Sequence, residues 1–261
     1  MNDLHKNFSS MRIETLDVSI PRIALSCMKT VAHITSTDRL CIAGGFARGL
    51  FMLEALGASP QMNDIDIFID LSADDFARVR SDLEHTFGKA VRFHIGFFED
   101  EQHPRGLIEF NIPQDISEQC AHVKSLQINF GQGHPWANPH YYLHDANIGI
   151  NQAVINRRGE FLASSLFLHD MKNKTMTMNP QIDWTHRNWE NTVTSALRMQ
   201  NERDEFKEWS TLEVSKPQAV PSGSFWSAPE KQQNTLSKKS PLRMVCLKIS
   251  MPQHNAPSNK Q

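Results

Sequence analysis

Residues 64–70 read Asp-Ile-Asp-Ile-Phe-Ile-Asp, a strict alternation that suits a β-strand with two unlike faces. Successive side chains of a strand point to opposite sides, so Asp64 and Asp66 share one face while Ile65 and Ile67 share the other. Asp70 is in phase with the two carboxylates but lies toward the strand end. The isoleucines need a core to cover them, whereas the carboxylates need water or cations. They either line a solvated edge or hold divalent metal. Two carboxylates spaced about 7 Å apart along a strand can share cations with a triphosphate.

The segment before this strand decides between those readings. Arg39 to Ala43 (RLCIA) reads as a short strand ending in Gly44-Gly45, and Phe46 to Leu56 follows as a helix stopped by Gly57 and Pro60. A strand that ends in two glycines and opens a helix presents backbone N–H groups and the positive end of the helix dipole to an anion. Gly44 and Gly45 permit a close approach that a side chain would block. Arg48, in the first turn, can reach the same anion. Glycine turn, helix and Asp-x-Asp strand occur in the order that a phosphate-and-metal site requires.

The remaining pattern places a helix over 20–34, opened by Pro21, and another over 74–87, closed by Gly88. Strands are expected at 91–98, 106–112 and 122–130, then a loop over 131–139. Asn147 to Ile155 and Phe161 to Ala163 read as a hairpin around Arg157-Arg158-Gly159, and Lys172 to Met178 as a last short strand. Asp183 to Trp209 reads as a polar helix bearing Arg187, Arg198 and Arg203. The fold class is α+β: a mixed sheet with helices mainly on one face. Four regions are expected: an N-terminal extension (1–19), a core (20–180), a C-terminal helix (181–210) and a largely disordered tail (211–261). The tail is rich in Pro, Ser, Gln, Asn and Lys, and only Leu242 to Ile249 there has strand character.

Composition narrows the function classes. A net charge of -2 gives no long-range attraction for nucleic acid, although a local basic surface is compatible with it. Cys27, Cys41, Cys120 and Cys246 lack metal or disulfide spacing and read as reduced thiols of a cytoplasmic protein. His140 and His144 in HYYLHDA read as part of an ordinary or nucleotide-contacting loop. No apolar run is long enough for a membrane span, and residues 1–17 hold no secretory h-region.

IAGGFARGLFMLEALGASPQMNDIDIFID resembles the signature of the DNA polymerase β-like nucleotidyltransferase superfamily. GGFAR followed by DIDIF is similar, more narrowly, to the head domain of poly(A) polymerases and tRNA CCA-adding enzymes. NIGINQAVINRRGEFLASSLFLHDMKNKTMTM resembles that family's ribose-contacting segment, hairpin and closing DLxNKTL motif. The likeness covers about residues 38–180, and the chain resembles small stand-alone members of the kind found in phage-like genomes.

The resemblance implies a nucleotidyl transfer in which Gly44 and Gly45 hold the phosphates of a nucleoside triphosphate, assisted by Arg48. Asp64 and Asp66 would bind two Mg²⁺ ions. It also implies nucleotide contacts from Asp145 or Asn147, and from Asn151. The third carboxylate expected beside the pair has no clean match: Gln127 and Asn129 stand in SLQINF, with Glu109 in LIEFNI the alternative. An acceptor, RNA or protein, is implied but not specified. A silent nucleotide- or nucleic-acid-binding protein of the same fold, or a toxin or resistance factor with the same chemistry, remain the rival readings.

Overall fold

The computed structural model describes residues 11–96, 104–113, 123–182 and 186–212. The thiols Cys120 and Cys246 and the expected strand segment 242–249 lie outside the described residues.

Eight strands form one mixed sheet: β1 (Ile13–Leu16), β2 (Leu40–Ala43), β3 (Asp64–Asp70), β4 (Arg92–Gly96), β5 (Arg105–Asn111), β6 (Ser125–Gly131), β7 (Ala153–Asn156) and β8 (Phe161–Ser164). Their spatial order is β1-β8-β7-β2-β3-β6-β5-β4. Only β3 and β6 run parallel; the other neighbours are antiparallel. The Asp-Ile alternation thus sits at the centre of the sheet, which excludes the solvated-edge alternative.

Four helices cover the isoleucine face: α1 (Arg22–Thr35), α2 (Gly45–Ala55), α3 (Ala73–Phe87) and, after β8, α5 (Ser165–Asn173). Met28, Val31, Phe46, Leu50, Phe76, Leu83 and Phe167 pack there with Ile42, Ile65, Ile67, Ile69 and Ile128 in one core cluster. Among the described residues the opposite face is covered in part, by α4 (Pro139–Asp145), whose Tyr142 and Leu143 meet Cys41, Ala43, Phe68, Val154 and Leu162. The rest of that face, over β3, β6 and β5, carries the polar side chains.

Several elements depart from the sequence reading for local reasons. HYYLHDA is not a loop but α4: Asn138 accepts the His140 and Tyr141 amides, and Pro139 supplies the preset first helical residue. The expected strand at 172–178 is the end of α5 followed by a three-residue β9 (Thr175–Thr177), with Ser164 capping the helix at Phe167 N–H. The expected 147–155 strand begins as a 3-10 turn, Gly149–Asn151, before β7. The C-terminal helix, α6 (His186–Glu202), ends at Arg203; a 3-10 turn at Asp204–Phe206 and β10 (Ser210–Leu212), parallel to β9, follow. Residues 13–16, read as part of an extension, pair with β8.

A buried carboxylate ties these pieces together. Asp170 accepts hydrogen bonds from Thr175 Oγ1 (2.7 Å), Thr177 Oγ1 (2.5 Å) and Thr177 N (2.9 Å), joining α5 to β9. The 3-10 turn lies directly on it: a Cβ at Gly149 would stand 2.3 Å from Asp170 Oδ2 and 2.8 Å from Leu166 Cγ. Glycine is required there for close approach, since the turn must pass over a fixed side chain. Gly149→Ala is therefore expected to cost about 1–3 kcal/mol by overpacking, read as a lower urea midpoint with unchanged slope.

Candidate active site

Strand register assembles the site. Asp66 pairs with Ala43 of β2 on one side and with Gln127 of β6 on the other, and Gln127 pairs in turn with Glu109 of β5. Residues paired in this way share a sheet face. Asp64, Asp66, Gln127 and Glu109 are therefore co-facial, next to the end of β2.

At that end Gly44 has φ 76° and ψ -143°, a conformation open to glycine and to few other residues. A Cβ on Gly44 would lie 3.1 Å from Asp66 Oδ2. The glycine corner and the aspartate are thus in near contact. Gly45 begins α2, and a Cβ there would meet Arg48 Nη2 at 3.7 Å.

The two sequence-proposed neutral residues turn out to be donors to the pair. Gln127 Nε2 donates to Asp64 Oδ2 at 3.1 Å, and the Asn129 side chain hydrogen-bonds Asp66. Burial, then the adjacent Asp64 charge, raises the Asp66 carboxyl to about 7; Glu109 adds to the same effect. Asp64 is raised too, first by burial and then by Glu109, against the opposing pull of Arg203 and Arg48. Among the described residues neither aspartate has a basic side chain within ion-pair distance. Also among them, no three His, Cys, Asp or Glu side chains converge as a metal cluster, and Glu109 stands on β5, one strand beyond Asp66's neighbour Gln127. Asp70 is occupied elsewhere, by Arg39 Nη1 (2.6 Å) and the Gly133 amide (2.6 Å).

Arg48 is only 4% exposed. Its Nη1 donates to Asn151 Oδ1, and its guanidinium carbon lies 5.2 Å over the Phe206 ring. Burial, with Arg203 nearby, lowers it to about 10, so it remains cationic at neutral pH. Asn151 therefore orients Arg48, and the Asp170-supported turn orients Asn151. Asn147 Nδ2 donates to Thr192 Oγ1 (3.1 Å), linking the core to α6. Asn147 and Asn151 line a cleft of about 310 Å³ whose other wall is Thr192, Ser195 and Arg198 of α6. Asp145 faces elsewhere, accepting from the Trp136 indole at 2.6 Å.

Two further contributors complete the site: Tyr142, which carries no clear signal in sequence, and Arg203, which sequence marks only as one of three arginines along a helix. Tyr142 is buried with its hydroxyl near the Gly44 amide and Asp66; burial first, then Asp66, pushes its pKa up. Arg203 lies beyond the end of α6, where a break in the helix turns it toward the site; Nη1 donates to the Gln61 carbonyl at 3.3 Å. Helical periodicity would have carried Arg203 around with the rest of the helix.

The pair fits a divalent ion by its chemistry: hard carboxylate oxygens, raised in pKa first by burial and, for Asp66, next by Asp64, with amide donors and, among the described residues, no cation within ion-pair distance. The sign of the pH effect follows. A carboxyl raised in the folded state favours folding when protonated, so that stabilisation is present near pH 4 and is lost as pH rises toward about 7. In chelator, unfolding free energy from urea melts should fall across that window, fall less in Asp66→Asn, and recover in wild type at pH 7 on adding Mg²⁺.

No protein-family model matches the sequence, and a search of curated proteins finds no match. Solved structures that resemble the chain include a CCA-adding enzyme with CTP, at 16% identity and TM-score 0.38, covering 71% of this chain and 40% of that one. A structure of a tRNA-processing enzyme complex gives 16% identity and 0.42, covering 70% and 42%. A CCA-adding enzyme with ATP gives 14% and 0.43, covering 76% and 42%. The chain spans about two-fifths of the length of these solved chains. Among the described residues no helix is long and apolar enough to cross a membrane.

Proposed function

We propose that the protein is a nucleotidyltransferase of the poly(A) polymerase and CCA-adding head type, moving a nucleoside monophosphate from an NTP to an acceptor hydroxyl. The observation that carries this reading is the 3.1 Å approach between the vacant Cβ position of Gly44 and Asp66 Oδ2. It puts a backbone anion site and a pair of metal-ligating oxygens in one corner, which is what a metal-bound triphosphate requires.

In this reading Gly44, Gly45 and the start of α2 receive the phosphates. Arg48, already cationic and held by Asn151, adds a fixed positive charge, so little reorganisation is needed when the nucleotide binds. The cleft between Asn147, Asn151 and α6 takes the ribose and base. Asp145 acts at one remove, by fixing Trp136. Asp64 and Asp66 would hold two Mg²⁺ ions, with Glu109 as the third carboxylate and Gln127 and Asn129 orienting the pair. Bound Mg²⁺ neutralises phosphate charge and acidifies the acceptor hydroxyl. The acceptor oxygen bonds to the α-phosphorus, the α–β phosphoanhydride bond breaks, and pyrophosphate leaves with the electron pair. The hydroxyl proton passes to the carboxylate pair and on to water.

A second reading, nucleotide binding without turnover, is motivated by Glu109 standing one strand beyond Gln127, with no three carboxylates converging among the described residues. Two measurements separate them. With purified protein, Mg²⁺, labelled NTPs and RNA or protein acceptors, wild type should label an acceptor, and Asp64→Ala/Asp66→Ala should lose at least about a hundredfold in rate. Glu109→Gln should lower kcat with little change in the NTP KM. Tight NTP binding by calorimetry with no labelled acceptor would select the silent alternative. Arg48→Lys should raise the NTP KM by about tenfold, because lysine offers neither the fork that Asn151 holds nor the planar face over Phe206.

A further inference from the structure

The motif HYYLHDA folds as α4 and lays Tyr142 over Ala43, the residue before the glycine corner and the register partner of Asp66. Tyr142 is 6% exposed, and its hydroxyl oxygen accepts the Gly44 N–H. Among the described residues nothing accepts the hydroxyl hydrogen in turn. A buried donor without an acceptor is thus aimed into the corner between Gly44 and Asp66. We propose that Tyr142 is a catalytic residue that donates this hydrogen to a phosphate oxygen of the bound nucleoside triphosphate, an inference that rests on the nucleotidyltransferase reading.

The ring alone does not explain the residue. Phe68 meets it at 5.6 Å between centroids and Trp136 edge-on at 5.7 Å, contacts that a phenylalanine would make equally well. Burying a hydroxyl whose hydrogen has no partner costs stability. The hydroxyl therefore serves something that arrives at the corner.

What the corner receives is an anion. The first amide that α2 bonds back to the corner is Arg48 N–H, which donates to Gly44 O at 3.2 Å. The N–H groups of Gly45, Phe46 and Ala47 have no acceptor among the described residues and point out of the helix start. Gly44 contributes by lacking a side chain, since its own amide is held by Tyr142. Taking that amide polarises the O–H bond and strengthens its donation. Arg48 is close enough to act on the hydroxyl, so amides, guanidinium and phenol converge on one anion. A hydroxyl also suits a place beside Asp66 better than a cation would. It adds a bond to phosphate without pairing the carboxylate that a metal needs.

The hydroxyl belongs to this corner and not to the neighbouring slot. Phe68, His134 and Trp136 wall a cavity of about 420 Å³ toward β5, and Tyr142 is not among its lining residues. The ring is fixed from behind instead: Asp145 accepts the Trp136 indole N–H at 2.6 Å, and Trp136 packs on the tyrosine. Asn138 and Pro139 start the helix that carries it. HYYLHDA thereby supplies a phosphate contact as well as cover for the sheet.

The test exploits the fact that the full chain has only two tyrosines, Tyr142 and the exposed Tyr141. Grown with 3-fluorotyrosine, it should give one fluorine resonance for each, assigned with Tyr141→Phe. In Mg²⁺, the Tyr142 resonance should move on adding either α,β-methylene-ATP, which cannot transfer, or inorganic tripolyphosphate, and stay still with adenosine. The Tyr141 resonance should not respond to any of the three. In unlabelled protein, Tyr142→Phe should keep its urea midpoint and bind both polyphosphates about tenfold more weakly by calorimetry. A Tyr142 resonance blind to both polyphosphates, or affinity unchanged or raised in folded Tyr142→Phe, would overturn the proposal. Should Tyr142→Phe fail to fold, the fluorine titration decides alone. Binding of both ligands that depends on Tyr142, with no transfer to any acceptor, would instead overturn the nucleotidyltransferase reading and leave the phosphate contact standing. Transfer by a chain whose polyphosphate affinity ignores Tyr142→Phe would do the reverse.

Discussion

Two carboxylates at neighbouring same-face positions of a central strand repel each other, and everything around the site is arranged to tolerate that. Asp64 and Asp66 receive hydrogen bonds from Gln127 and Asn129, but no basic side chain lies within ion-pair distance among the described residues. Burial raises both carboxyls, and the Asp64 charge adds to the rise of Asp66, which reaches about 7. Replacing either amide donor with a lysine would quiet the repulsion and fill the space a divalent ion needs. Storing unfavourable charge at a site while satisfying its hydrogen bonds is how a protein prepares for a ligand rather than for maximum stability.

The scaffold behind the pair works by a chain of contacts that is polar at each link. Asp170 joins α5 to β9 and supports the Gly149–Asn151 turn; Asn151 receives Arg48; Arg48 stands behind the glycine corner. Buried polar groups of this kind specify one arrangement, because any shift leaves a donor or acceptor unmatched. The apolar face beneath supplies the burial that holds these groups in place: the isoleucines of β3 lie against Met28, Phe46, Phe76 and Phe167.

The polar face then divides into three neighbouring zones. The α6 cleft with Asn147 and Asn151 lies on one side, the glycine corner and carboxylates in the middle, and the Phe68–His134–Trp136 slot on the other. Among the described residues α4 covers part of this face and leaves the third zone uncovered. Tyr142 and Leu143 pack over the β2, β7 and β8 side of the face, while Trp136, just before α4, turns its ring toward β3.

Local sequence settled the strand at 64–70, the three helices expected at 20–34, 46–56 and 74–87 to within two residues at each end, and the glycine corner, because alternation, helical spacing and glycine act within a few residues. It misread HYYLHDA and the stretch before β9, where short helices rest on the Asn138 and Ser164 caps and on packing to distant strands. The place of Glu109 opposite Gln127, the turn of Arg203 toward Asp64, and the union of Asn129, His134 and Trp136 in one slot depend on strand order and register. Those are set by long-range pairing among strands far apart in the chain. Which face of a strand is polar is therefore written in the residues themselves, whereas which polar groups meet across neighbouring strands is decided only when the sheet closes.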